Sequence, residues 1–161
     1  MFQGAHDATK IQENPFWLYS LKQYKSPNCA QFLLDAQDQL DLDINLLLFF
    51  GWLSSEGKTL ELSKVLTHSQ IWQSQVVKPI RQLRRRIKYL NHDSFYQATK
   101  QLELRSEQHQ QDWLYQQSLH WPQQTRSFKD ALSQMVREYL QQEGIEEKEE
   151  WLQALSEYLQ P

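Results

Sequence analysis

The chain is poor in the residues that build tight turns and covalent staples. Among 161 residues only Gly4, Gly51, Gly57 and Gly144 are glycine, with five prolines and one cysteine. Loops that cradle a phosphate or a dinucleotide need clustered glycines, so those binding fingerprints are excluded. Glycine this sparse also argues against a β protein with many turns. Cys29 stands alone, so neither an internal disulfide nor a cysteine-type zinc site can form, and a reducing compartment, the cytoplasm, is the natural setting. The apolar run from Ile44 to Leu53 falls well short of the ~20 residues that span a bilayer, so no membrane insertion is expected. "MFQGAHDATK" lacks the apolar core of a secretory signal. A net charge of −3 gives no overall pull toward nucleic acid or lipid.

What is present suits one helical domain. Hydrophobic residues make up 40% of the chain and include six tryptophans, enough for a single sizeable core. Residues 1–13 read as a loose polar arm and 14–161 as the domain. Asn14-Pro15 and Ser26-Pro27 are cap-plus-proline starts. The first opens "FWLYSLKQY", with Trp17, Leu21 and Tyr24 expected on its inner face. The second opens a helix over about 27–40 with an apolar stripe of Cys29, Phe32, Leu33, Ala36 and Leu40.

"DINLLLFFGWL" follows, with Asp43 as its cap and apolar residues in every direction, as a centrally buried helix over 43–55 requires. Gly51 within it points to the close approach of a neighbouring helix. A short turn near 63–68 then leads to a long helix over about 69–90, capped by Thr67 with Gln70 and kinked at Pro79. Val76, Ile80, Leu83, Ile87 and Leu90 repeat at heptad spacing along it and are expected to face inward. A helix from about 94 to 118 has a middle, "RSEQHQQD", without aliphatic residues, so it meets either solvent or a polar partner. His109 shares a register with Phe95, Ala98 and Leu102 and is expected toward the core. Helices over about 127–142 and 146–159 complete an all-α domain of six or seven helices.

Chemistry-bearing clusters are few. None of the five histidines has the Glu-x-x-His spacing of helical metal sites and there is no HExxH, so no cofactor or metal is called for. Cys29 on an apolar face reads as an inert thiol. Asp35, Asp38, Asp41 and Asp43 form an acidic cluster that capping and solubility explain, although helical prenyl-transferring enzymes hold Mg²⁺ with comparable aspartates. "KPIRQLRRRIK" packs six cations into residues 78–88, while residues 93–161 carry twelve acidic and six basic side chains. That basic helix either bridges to the acidic C-terminal helices or forms an anion site. The arginine heads of Arg81 and Arg85 are expected to reach solvent.

"FWLYSLKQY", Cys29, "LLDAQDQLDLDINLLLFFGW" and "IWQSQVVKPIRQLRRRIK" together resemble an uncharacterised proteobacterial family of about this length, catalogued as a domain of unknown function. The resemblance covers about 14–90 and fades beyond. It implies a compact bacterial protein and transfers no mechanism. Gln37, Asp38, Asp43, Asn45, Arg81, Arg84 and Arg85 lie within it among apolar residues, and such polar groups must pair or line a pocket. The expectation is a cleft rimmed by Asp38, Asp43, Asn45 and an arginine, or an Asn45 that serves only its local backbone. The functional reading is a non-enzymatic cytoplasmic binding or adaptor protein. It would engage a protein, RNA or phosphate partner through Lys78, Arg81, Arg85 and Lys88. The alternative is a small helical enzyme acting on a phosphorylated or isoprenoid-like substrate, with Mg²⁺ at Asp35 and Asp38.

Overall fold

A computed structural model describes residues 13–146 and 148–161; the expected arm, apart from Glu13, lies outside the described residues. The fold is all-α. The helices are α1 (Pro15–Tyr24), α2 (Pro27–Leu40), α3 (Ile44–Ser55), α4 (Leu62–Trp72), α5 (Lys78–Tyr89), α6 (Asp93–Ser118), α7 (Phe128–Gln142) and α8 (Glu149–Leu159). A π-helical segment, Gln73–Val77, joins α4 to α5 without a break. With 62–89 counted as one bent rod, the described residues form seven helices and no strand.

Local chemistry explains where these helices begin and end. Asn14 accepts from the Trp17 N–H at 2.8 Å, Asp43 from the Asn45 N–H at 2.9 Å, and Ser127 from the Asp130 N–H at 3.2 Å. Each thereby satisfies an otherwise orphaned first-turn donor. Gly57 closes α3 with φ +65°, a left-handed turn that costs glycine little.

α3 is the axle of the fold. Every residue from Ile44 to Ser54 is buried, and α1, α2, α6, α7 and α8 all pack on it. Phe49 anchors an aromatic cluster with Phe16 at 5.2 Å and Trp121 at 5.9 Å. Gly51 is where α1 and α8 close in: a methyl group there would meet the Tyr19 hydroxyl and sit 3.1 Å from Leu159 Cβ. The Tyr19 hydroxyl donates to the Leu159 carbonyl, tying α1 to α8 across α3.

Four local expectations are corrected. In α1 the inner face is Phe16, Tyr19, Ser20 and Gln23, while Trp17 is half-buried and Leu21 and Tyr24 lie exposed. Both stripes have helical spacing, and the body takes the one carrying Phe16 and Tyr19. The segment 63–68 is helix, so Thr67 and Gln70 lie inside α4 instead of capping it. His109 is exposed and rests against Trp72, with ring centres 4.6 Å apart. The heptad stripe of α5 does not face the core: Val76, Ile80 and Ile87 are half-buried, while Leu83 and Leu90 are exposed. Instead, Arg81 is the one residue of α5 that is buried.

Candidate functional site

The polar middle of α6 meets a polar partner, and that encounter builds the centre of the molecule. Asp43, at the head of α3, accepts from Gln110 at 2.6 Å and from Gln73 at 3.3 Å. The Gln110 carbonyl accepts from Gln73 at 2.8 Å and from the Asn45 amide at 2.9 Å. Gln111 donates to the Asn45 carbonyl at 2.9 Å and accepts from Ser20 at 3.0 Å. The Tyr139 hydroxyl accepts from the Asp43 N–H at 3.0 Å. Four helices and the π segment are thereby joined through one amide network. The wider π turn beside Pro79 is where Gln73 turns inward.

An ionic shelf adjoins this network. Arg81 Nε donates to Glu103 at 2.8 Å and its terminal nitrogen to Glu107 at 3.2 Å, while Arg84 closes on the second oxygen of Glu103. Arg81 was expected to reach solvent, yet it is 8% exposed. The reason is that α6 lies along α5 and presents two glutamates four residues apart, enough to satisfy a buried guanidinium. Glu103, Glu107, Gln73, Gln110 and Gln111 were missed as partners. The signal was the aliphatic-free middle of α6 opposite an arginine-rich helix.

Burial sets the proton affinities here. Asp43 is pushed up to about 6 by desolvation, against the pull of the Gln110 amide and the α3 N–H groups. Glu107 is pushed up to about 7 by desolvation, which outweighs the attraction of Arg81.

Two clefts flank Arg81. One, of about 350 Å³, is lined by Asp43, Gln73, Lys78 and Tyr139. The other, of about 310 Å³, lies between α1, α2, α5 and α6 and is lined by Asn45, Arg84, Arg85, Trp17 and Leu104. Asp43 and Asn45 therefore open on different clefts. Asp38 lies outside both and accepts from Arg85 at 3.0 Å on the surface. Lys78 pairs with Asp41 at 2.7 Å, and Asp35 accepts from Gln31 at 2.8 Å. Lys88 is exposed. Asn45 thus pairs with two distant glutamines and not merely with its local backbone. No group of three metal-ligating side chains occurs among the described residues. The side chains of the centre hold one another, which fixes helix positions.

The far end of the α5–α6 hairpin is different. Tyr89 is 86% exposed, Leu90 75%, Phe95 61%, Leu102 51% and Leu83 49%, an unusual concentration of bare apolar surface. Arg86, Lys88, Lys100 and Arg105 stand exposed around it, and among the described residues none has an ion-pair partner.

A family model described as "Protein of unknown function (DUF2390)" matches residues 15–114. The chain belongs to the DUF2390 family. The match begins at the first residue of α1 and runs past 90 into α6, so it takes in the ionic shelf, α5, most of α6 and every member of the amide network except Tyr139. Beyond it lie the end of α6 and helices α7 and α8, which bring Tyr139, Leu155 and Leu159 to the DUF2390 core. No curated protein and no solved structure matches the chain. Among the described residues, no helix is long and apolar enough to cross a membrane.

Proposed function

We propose that this DUF2390 chain is a non-enzymatic binding protein of the bacterial cytoplasm that engages an anionic partner through the outer surface of the α5–α6 hairpin. The observation that carries the reading is the pairing of unengaged cations, Arg86 and Lys88, with the bare side chains of Leu83, Tyr89 and Leu90 on the same helix end. Lys78 and Arg85 stand on the α2-facing side of α5, beside that surface and not on it. Their carboxylate partners are exposed, and exposed ion pairs contribute only ~0–1 kcal/mol, so a stronger anion can displace them. Arg81 takes no part, being held by Glu103 and Glu107. The cytoplasmic setting is supported by the buried Cys29 thiol, whose pKa burial pushes up and which lies 3.7 Å from the Tyr158 carbonyl, an inert environment.

The test is site-specific photocrosslinking in nuclease-treated cells, with the crosslinker at position 89 and a control at Glu157 on α8. The reading expects a discrete adduct from position 89, absent from the control and lost in the Arg86→Glu/Lys88→Glu variant. Adducts of equal yield from both positions would refute it. Loss of the adduct on nuclease treatment would assign the surface to nucleic acid.

A further inference from the structure

The α5–α6 hairpin carries on its outer side a heptad stripe on α5 and a heptad-spaced pair on α6 whose exposed members, Leu83, Leu90, Phe95 and Leu102, the core does not use. On α5 and the π turn before it the stripe is Val76, Ile80, Leu83, Ile87 and Leu90; on α6 Phe95 and Leu102 lie seven residues apart, and His109, one heptad further, is taken up by Trp72. Repeats of this kind exist to meet another helix side by side, with knobs entering holes. Yet α5 meets α6 through Arg81 and Arg84, which reach Glu103.

The two stripes look the same way. Arg85 and Leu104 both line the cleft against α1 and α2, so they mark the side of the hairpin that lies on the body. Leu83 and Leu102 each precede one of them by two residues, which places each about 160° around its helix, on the opposite side. The outer side of the hairpin therefore presents two parallel apolar rows with a furrow between them. A third helix would complete a three-stranded bundle there.

Charge selects the occupant. In the heptad frame that places Leu83 and Leu90 at d, Arg86 falls at the flanking g position. In the frame that places Phe95 and Leu102 at d, Arg105 falls at g as well. Both are exposed and without an ion-pair partner among the described residues. Flanking charges choose coiled-coil partners by sign, and a second copy of this hairpin would set arginine against arginine. We infer that the furrow between the Leu83–Leu90 and Phe95–Leu102 rows binds an amphipathic helix of another protein whose apolar seam is flanked by glutamate or aspartate. This inference rests on the proposed function and gives its partner a chemistry. Helix-in-groove recognition of this kind derives its affinity from the buried seam and its selectivity from the flanks.

The probe is a synthetic helix of about four heptads with leucine and isoleucine at a and d and glutamate at e and g, kept monomeric by its own repulsion. Fluorescence anisotropy with the full chain is expected to show saturable binding, weakened at least tenfold in Leu83→Gln/Leu102→Gln. Arg86→Glu/Arg105→Glu should weaken it likewise and should restore binding to a lysine-flanked probe. Circular dichroism of both variants should match the parent. Absence of binding, or equal binding of acidic- and lysine-flanked probes, overturns the inference. So does a chain that light scattering finds dimeric through these same residues, or one that binds anionic vesicles without competition from the probe. A probe that fails while the position-89 adduct persists leaves the binding reading standing and removes the helix; loss of both removes the two together.

Discussion

Asn45 is the residue on which the amide network turns, because its side chain both donates to Gln110 and accepts from Gln111. Truncation leaves the buried Gln111 amide without its acceptor and takes one of two donors from the Gln110 carbonyl, and a buried unsatisfied group is costly. Asn45→Ala is therefore expected to lower stability by roughly 1–3 kcal/mol, read from the urea midpoint at unchanged slope. A midpoint equal to the parent's would show that Asn45 rims a cleft without bracing it. Glu107 supplies a pH signature. Its carboxyl ionises near 4.5 in an unfolded chain but only near 7 in the native one, where Arg81, Glu103 and Asp43 surround it. Between those values the native state binds more protons than the unfolded state, so stability falls as pH rises and the contribution is gone above about 7. Asp43 acts in the same direction between 3.8 and about 6. Urea midpoints should thus be lower at pH 8 than at pH 5.5, and Glu107→Gln should shrink that difference. A midpoint that rises with pH over this range would contradict the assignment.

At the scale of elements, Gly51 gives a prediction whose sign is informative. Alanine normally gains ~1 kcal/mol over glycine inside a helix. Here the added methyl meets the Tyr19 hydroxyl and crowds Leu159, so Gly51→Ala should destabilise by ~1–3 kcal/mol instead. Thermal unfolding of Gly51→Ala/Tyr19→Phe should recover part of the loss, since the hydroxyl is the nearest atom met. Because cap residues and apolar spacing act locally, helix existence was legible except over 63–68, which reads as a turn and lies within α4. Asp43 and Gly57 bound α3 as their chemistry demands, and the all-round apolarity of 44–53 placed α3 at the centre. Facing was less legible. Spacing says which residues share a side, not where that side looks: α1 buries Phe16 and Tyr19 instead of Trp17 and Leu21, and α5 turns Arg81 inward and Leu83 outward. Arg81 can be buried because Glu103 and Glu107 lie 22 and 26 residues away, a distance over which sequence periodicity carries no information. The π segment was equally hidden, although Pro79 gave the place of the distortion its cause.

For the whole molecule, the division of labour is between a polar centre that fixes helix positions and a hairpin whose outer rows contribute nothing to the core. Both lie chiefly within the segment that defines DUF2390 membership. The candidate site was therefore half legible: the basic helix was found, but Arg81, one of the four cations expected to engage a partner, ties α5 to α6 while the cations around Leu83, Leu90 and Phe95 stay open. The most direct test of this division needs no partner. Leu83→Gln/Leu102→Gln replaces two large apolar side chains at heptad positions, where a core role would cost ~2–5 kcal/mol for each. Equilibrium urea unfolding of the double variant is expected to give a free energy within ~0.5 kcal/mol of the parent, as for surface positions. A loss of ~2 kcal/mol or more would mean that these rows are core and would contradict the account.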